Sequence, residues 1–220
     1  FSPDGQTLYS GAVDGTVYRW NVVSGTGEII LTHTKDVTGV SVSPDGGTVV
    51  SSSKDGTVRA HSSGVARVLA EDQGEVMSVV FRGDGRKVVT ASKDGTARVI
   101  DLASSEQLVL RGHAGPVYSA CFDPENQRIL TVSGDHEARV WGADGHLLAV
   151  LAGHEDAVFH GRFVDLNRVV TASDDGTVRV WRLGEGNLVH GEVLIRHDAA
   201  VTAIDVLGDR VVSAAADGTV

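Results

Sequence analysis

The chain has 220 residues, 41% of them hydrophobic, which is enough to form a sizeable buried core. Acidic residues outnumber basic ones by 29 to 19, and the net charge of −10 argues against nucleic-acid phosphates or anionic membranes as partners. No apolar run approaches the roughly 20 residues of a membrane-spanning helix, and no leader-like block is visible. The single Cys121 excludes an internal disulfide framework and is interpreted as a buried strand thiol, so a cytoplasmic location is expected.

Six segments centred on an Asp-Gly or related turn follow one another along the chain, separated by 39 to 42 residues. A period near 40 fits four-stranded units, whereas helical repeats would need long stretches of 3.6-residue periodicity that the sequence lacks. In chain order, the segments are GAVDGTVYRWNV from Gly11, SSKDGTVRAHSS from Ser52, ASKDGTARVIDL from Ala91, VSGDHEARVWGA from Val132, ASDDGTVRVWRL from Ala172 and AAADGTV from Ala214.

The fourth period illustrates the predicted elements. Strands are expected over Val117–Phe122, Arg128–Ser133, Ala138–Trp141 and His146–Leu151, with turns between them that contain Pro124, Asp135 and Gly145. Turn residues every 8 to 12 positions are typical of an all-β protein. No helix is predicted.

Three recurring features carry a family resemblance. The first is the Asp-Gly-Thr-Val turn, and the second is a tryptophan six residues after the turn aspartate, at Trp20, Trp141 and Trp181. The third is a Gly-His pair about 21 residues before the aspartate, at His113 and His154. With these motifs at one spacing, the whole chain resembles the WD-repeat (Trp-Asp repeat) family.

The resemblance implies a β-propeller of four-stranded antiparallel blades, of which about five and a half are present as an incomplete ring. On that template, residues 1–32 form a partial blade and residues 200–220 a second one, which would end inside its third strand. Full blades are expected at about 36–70, 75–110, 117–151 and 157–195. The natural protein is therefore expected to extend beyond both ends of this fragment.

The resemblance also implies a structural tetrad of His, Ser or Thr, Asp and Trp in each blade, because a buried carboxylate needs hydrogen-bond donors. Ser or Thr stands four residues before every turn aspartate. The complete sets are His113, Thr131, Asp135, Trp141 and His154, Thr171, Asp175, Trp181, and a partial set is His33, Ser51, Asp55.

Two blades depart from this pattern. His61 occupies the tryptophan position of the second blade. In the third blade, Asp72 occupies the histidine position and Ile100 the tryptophan position, so Asp72 and Asp94 would approach each other. We expect the third blade to be the least rigid.

The sequence motifs favour these structural roles over chemical functions. Ser/Thr, His and Asp resemble a nucleophilic triad, but an active site is not normally copied blade by blade. The nine histidines lack metal-ligand spacing, and no calcium loop, phosphate loop or Gly-x-Ser-x-Gly elbow occurs. An arginine ladder, Arg59, Arg98, Arg139 and Arg179, is interpreted as packing and ion pairing in preference to an anion groove. No metal, cofactor or catalytic residue is predicted.

Partner binding in this family is expected on the top rim of the propeller, at the start of each first strand and at the second turn. Those positions give the candidate residues Met77, Tyr118, Phe159, Lys54, Lys93 and Asp174, with the three large side chains expected side by side. Aromatic residues in an exposed apolar patch are typical anchors of protein interfaces. Filling of the channel mouth or the core is the alternative role of these side chains.

The predicted function is a non-enzymatic scaffold that presents the propeller's top face to a protein or peptide partner. The sequence leaves two alternatives open. One is a propeller enzyme, such as a lactonase-like hydrolase or a quinoprotein, which would need a polar or metal-lined central site. The other is a structural unit that self-associates through its open blade edges.

Overall fold

The computed structural model consists of short antiparallel strands joined by tight turns. The structure describes residues 1–71, 74–184 and 189–220. Every regular element in these ranges is a β-strand, which confirms the predicted all-β fold. Within the described ranges there is accordingly no helix of the length and apolarity that crossing a bilayer requires.

The strands form six antiparallel sheets, numbered here as blades 1 to 6, in which strands adjacent in sequence pair with each other. Blade 1 has three strands, β1 (Thr7–Gly11), β2 (Thr16–Asn21) and β3 (Gly27–Thr32). Blade 2 contains β4 (Val37–Val42), β5 (Thr48–Ser53), β6 (Thr57–Ser62) and β7 (Val65–Glu71). Blade 3 contains β8 (Val76–Phe81), β9 (Lys87–Ser92), β10 (Thr96–Asp101) and β11 (Gln107–Arg111).

The remaining blades follow the same plan. Blade 4 contains β12 (Val117–Phe122), β13 (Arg128–Ser133), β14 (Glu137–Gly142) and β15 (Leu147–Ala152). Blade 5 contains β16 (Val158–Phe163), β17 (Arg168–Ser173), β18 (Thr177–Leu183) and β19 (Val189–Arg196). Blade 6 has two strands, β20 (Val201–Leu207) and β21 (Arg210–Ala215).

The Asp-Gly turns between the second and third strands recur because their two residues satisfy one backbone geometry. The carboxylate of Asp175 accepts the amide N–H of Thr177 at 2.8 Å, and Asp14 accepts that of Thr16 at 2.9 Å. Gly176 then adopts a φ of +77°, a left-handed conformation that costs glycine little. Blade 4 has His136 at this glycine position, with a φ of +69°.

A β-bulge interrupts the start of the first strand in blades 2 to 6. In blade 4, Val117 pairs with Ser133 and Ser119 pairs with Val132, so Tyr118 has no partner in the ladder. A bulge of this kind redirects the side chain of the extra residue. The equivalent extra residues in the other four blades are Thr38, Met77, Phe159 and Thr202.

The strands divide into two compact units. The first contains residues Phe1–Asp94 and Arg98–Leu108, and the second contains Gly95–Ala97 and Val109–Val220. Valine and other small apolar side chains fill both. In the first unit a buried cluster includes Val50, Val76, Val88 and Ile100; in the second unit one buried cluster is built around Leu130, Val140, Leu151 and Trp181.

Candidate functional site

Blades 4 and 5 each contain a continuous chain of hydrogen bonds through four side chains. In blade 4, the indole N–H of Trp141 donates to Thr131 Oγ1 at 2.8 Å, and Thr131 Oγ1 lies 2.8 Å from Nε2 of His113. Nδ1 of His113 lies 2.8 Å from Asp135 Oδ2. In blade 5, Trp181, Thr171, His154 and Asp175 repeat the arrangement, with every distance between 2.7 and 2.8 Å.

The donors and acceptors of the hydrogen-bond chain in blade 4 can be assigned in only one order. Because Nδ1–H of His113 donates to the carboxylate of Asp135, Nε2 accepts a hydrogen bond from the Thr131 hydroxyl. This requires a neutral imidazole. Burial lowers the pKa of His113, although Asp135 acts in the opposite direction.

The turn carboxylates stay ionised because they collect donors. Burial alone would raise the pKa of Asp175. Hydrogen bonds from the Thr177 hydroxyl, the Glu155 amide and His154 outweigh burial and lower this pKa to about 2. Asp135 accepts the amide of Ala114 at 2.9 Å in the same way. The carboxylate therefore joins the loop before each first strand to the turn of the same blade.

A threonine that sequence reasoning missed takes part in several blades. In blade 2, Nδ1 of His33 lies 2.9 Å from Thr57 Oγ1, which in turn donates to Asp55 at 2.7 Å, whereas Nδ1 and Asp55 Oδ2 are 3.4 Å apart. Blade 6 repeats this relay, with His197 Nδ1 at 2.7 Å from Thr219 Oγ1. The recurrence of Thr in the Asp-Gly-Thr motif is the signal that could have identified it.

Blades 2 and 3 depart from the tetrad pattern at one or more of its four positions. His33 Nε2 lies 2.8 Å from Ser51 Oγ, while His61 at the tryptophan position is half-buried on β6. In blade 3, Ile100 is fully buried in the apolar core, and Arg98 donates to Asp94 at 3.1 Å. Asp72, expected at the histidine position, lies outside the described residues.

The glycine of each Gly-His pair leaves room for an arginine of the predicted ladder. Gly112 has a φ of +155°, and a Cβ atom there would lie 2.5 Å from Nη1 of Arg139. Arg139 itself donates to Glu137 at 2.8 Å, and the guanidinium of Arg179 lies 6.0 Å from the Trp181 ring centroid. These arginines are thus engaged in packing and ion pairing within the second unit.

A sequence model of the WD domain, G-beta repeat, matches residues 1–21, 27–62, 64–101, 104–142 and 145–182. These ranges cover well over half of the chain. The chain belongs to the WD-repeat family. A comparison with curated proteins found no significant match.

Membership identifies the sheets as blades of a β-propeller, as the sequence resemblance predicted. WD-repeat proteins are generally non-enzymatic scaffolds that bind other proteins. Blade 6 lies outside the matched ranges but has the same hydrogen bonds, because His197 Nε2 lies 2.8 Å from Ser213 Oγ and Asp217 accepts the amide of Asp198 at 3.0 Å.

No group of three or more His, Cys, Asp or Glu side chains in the described part of this WD-repeat chain is arranged to hold a metal ion. Cys121 is buried on β12, where burial raises the pKa of its thiol. Thr131 and Thr171, the hydroxyl residues of the complete tetrads, are fully buried.

The candidate partner-binding residues of the second unit lie together. Tyr118 and Phe159, the extra residues of two bulges, stack with ring centroids 4.3 Å apart and planes inclined by 22°. Both are half-buried. The small residue at the second turn of blade 4 leaves the edge of the tyrosine uncovered, because a Cβ atom on Gly134 would lie 3.3 Å from Tyr118 Cε2.

Asp174 occupies in blade 5 the position that Gly134 occupies in blade 4. Its amide donates to the carbonyl of Ala157, two residues before Phe159, at 3.0 Å. Asp174 is exposed, and its pKa is raised by partial burial and by the neighbouring charges of Asp156 and Asp175. Asp174 thus has the same place relative to Phe159 in the strand pairing of blade 5 as Gly134 has relative to Tyr118 in blade 4.

The candidates of the first unit have a different electrostatic setting. Lys54 Nζ lies 2.6 Å from Asp36, and Lys93 Nζ lies 2.7 Å from Glu75, so each charge is compensated within its own blade. Met77, the bulge residue of blade 3, is half-buried on β8.

Proposed function

We propose that the chain is a non-enzymatic binding module that holds a protein or peptide partner on the surface formed by Tyr118, Phe159 and Asp174. The single observation that carries this proposal is the stacked aromatic pair at the bulges. Each bulge takes its ring out of the ladder, and the pair is left partly exposed. Rigid aromatic side chains are the commonest anchors in protein interfaces, since they bury large areas with little loss of conformational entropy.

Met77, Lys54 and Lys93 belong to the same proposal as secondary candidates. The two lysines contribute less in our view, because a partner would have to compete with Asp36 and Glu75 for their charges. Met77 occupies the bulge position that Tyr118 and Phe159 occupy in their blades, which supports a contact role for it.

The absence of enzymatic activity is part of the proposal. The trio that resembles a nucleophilic triad is engaged as a structural element, since the Thr131 hydroxyl is fully buried and is bonded to both His113 and Trp141. A nucleophile needs access to its substrate as well as a base within reach.

The test is a selection of random octapeptides displayed on phage against the immobilised 220-residue chain. We expect peptides that bind the wild-type chain and lose at least tenfold in affinity on the double variant Tyr118→Ala, Phe159→Ala. The variant Leu207→Ala, at the exposed end of β20 in blade 6, is the matched control and should bind normally.

Equal unfolding midpoints of the wild type and the double variant are required before binding is compared. Selected peptides that bind the double variant as well as the wild type would contradict the proposed surface. Selection of no peptide at all would contradict the proposed function.

A further inference from the structure

One backbone contact within the blade recurs at the same place in five blades. The residue before the turn aspartate donates its amide N–H to the carbonyl of the residue before the first strand, at 2.9 to 3.0 Å. This contact brings two residues of each blade together at the same place in the sheet. The pairs are Asp36 with Lys54, Glu75 with Lys93, Pro116 with Gly134, Ala157 with Asp174 and Ala200 with Ala216.

The charge at this place differs between the units. In blades 2 and 3 a built-in lysine neutralises the carboxylate of its pair. In blade 5 the lysine is replaced by Asp174, and a further carboxylate, Asp156, lies close enough to raise the pKa of Asp174. Within the described ranges, no Lys or Arg side chain forms an ion pair with either of these two carboxylates.

The position of Asp156 is fixed by the fold. Its carbonyl accepts the Ser173 hydroxyl at 3.0 Å, and Ser173 is fully buried next to Asp174. Asp156 precedes Phe159 by three residues, and the amide of Asp174 is bound to Ala157, two residues before the same ring. The surface therefore combines flat apolar rings with negative charge that the protein leaves uncompensated.

We infer that the partner segment carries a lysine or arginine that lies on the Tyr118–Phe159 pair and binds Asp174 and Asp156. This inference rests on the proposed function and names the chemistry of its partner. A cation over an aromatic face is attracted by the ring quadrupole, and an adjacent carboxylate adds a charge-assisted hydrogen bond. The partner's cation takes the part that Lys54 and Lys93 play in blades 2 and 3.

The probes for the test are the octapeptides selected on the wild-type chain, each with a counterpart in which every lysine or arginine is replaced by glutamine. We expect the selected sequences to be enriched in lysine or arginine over the unselected library, and the glutamine counterparts to bind at least tenfold more weakly. Because the charges are exposed, affinity should also fall as salt is raised from 50 to 500 mM, since the Debye length shortens about threefold over these concentrations.

The decisive variant is Asp174→Lys, which gives blade 5 the lysine that blades 2 and 3 already carry. We expect peptide affinity to fall at least tenfold while the unfolding midpoint is unchanged. The matched control is Glu125→Lys, an identical charge reversal at an exposed turn after the other end of β12, which should change affinity less than twofold. Asp174→Asn removes the charge with almost no change of shape, and it replaces Asp174→Lys in the test if that variant fails to fold.

The outcomes separate the two proposals. Peptides that need Tyr118 and Phe159 but show no excess of lysine or arginine would overturn this inference and leave the proposed function standing. Unchanged affinity on both Asp174 variants would overturn it as well. Failure to select any peptide that depends on the aromatic pair would overturn both.

Discussion

At the scale of single residues, the turn of blade 4 carries a local conflict between sequence and backbone. His136 occupies the place of the glycine in the Asp-Gly turns, and it adopts a φ of +69°. A residue with a Cβ atom pays about 1 kcal/mol for the left-handed conformation, whereas glycine adopts it freely.

We therefore expect His136→Gly to stabilise the chain by about 0.5–1 kcal/mol, since the relief of strain exceeds the extra entropy of glycine in the unfolded state. Chemical denaturation monitored by tryptophan fluorescence measures the change. His146→Gly is the matched control, because His146 is also exposed but lies outside the left-handed region. A loss of stability in His136→Gly equal to that of the control would contradict the strain.

The indole donor of Trp141 offers a second test at this scale. Trp141→Phe keeps an aromatic ring in the core but removes the N–H that donates to the buried Thr131 hydroxyl. We expect a loss of about 1–3 kcal/mol, the usual result of leaving a buried polar group short of a partner and shrinking the side chain. Calorimetric or denaturant unfolding gives the value.

Trp20→Phe provides the comparison. The acceptor of Trp20 is Ser10, which is half-buried in blade 1, so water can replace the lost donor and the cost should be smaller. Equal losses for the two variants would show that burial of the hydroxyl does not set the energy.

At the scale of elements, blades differ in how many of their buried hydroxyls have a side-chain donor. Thr131 and Thr171 each receive an indole N–H. In blade 3 the corresponding side chain is Ile100, which packs in the core and donates nothing. Blade 3 relies on the Arg98–Asp94 contact and on apolar packing.

We expect native-state hydrogen exchange to be faster in blade 3 than in blades 4 and 5. The equivalent central amides are those of Val89, Leu130 and Val170, which are all fully or almost fully buried, so differences in solvent access do not confound the comparison. Exchange of these amides reports the free energy of local or subglobal opening. Protection of Val89 equal to that of Leu130 and Val170 would contradict a less rigid third blade.

Most strands of this protein could be predicted from local signals in the sequence. A period near 40 and the turn residues predict the strands well, because alternating apolar residues and Asp-Gly turns are local signals. The predicted third strand of blade 4 began at Ala138 and the fourth at His146, whereas the structure has Glu137–Gly142 and Leu147–Ala152. Such small offsets are usual at strand ends.

Contacts that depend on side-chain direction were not visible in the sequence. The relay through Thr57 depends on which oxygen faces Nδ1 of His33, and spacing does not encode this. The pairing of Lys54 with Asp36 joins residues 18 positions apart in sequence, and it follows from an amide hydrogen bond that no residue motif records. The bulge at Tyr118 is likewise a property of the pairing register.

At the scale of the whole molecule, the buried histidines couple stability to pH. Burial is the main cause that lowers the pKa of each of these side chains, and the carboxylates that interact with His33, His113 and His154 only reduce the effect. The histidines with a lowered pKa are His33, His113, His154 and His160.

We therefore expect stability to be nearly constant above about pH 6.5 and to fall on acidification below it. The unfolded chain takes up protons near the ordinary histidine pKa of 6.5, whereas the folded chain does not. Each such histidine contributes a slope of up to about 1.4 kcal/mol per pH unit between its two pKa values. The denaturation midpoint measured from pH 8 to pH 5 tests this.

A second decline is expected below about pH 4, since the pKa values of the turn carboxylates are also lowered in the folded chain, that of Asp175 to about 2. The variant His113→Gln separates the two causes, because it removes one buried imidazole and keeps groups that can bond Asp135 and Thr131. This variant should be less stable at pH 8 but should lose less stability than the wild type between pH 6.5 and pH 5. Parallel pH profiles in that range would mean that His113 has the same pKa in the folded and unfolded chains. That result would contradict a tetrad in which the His113 imidazole stays neutral.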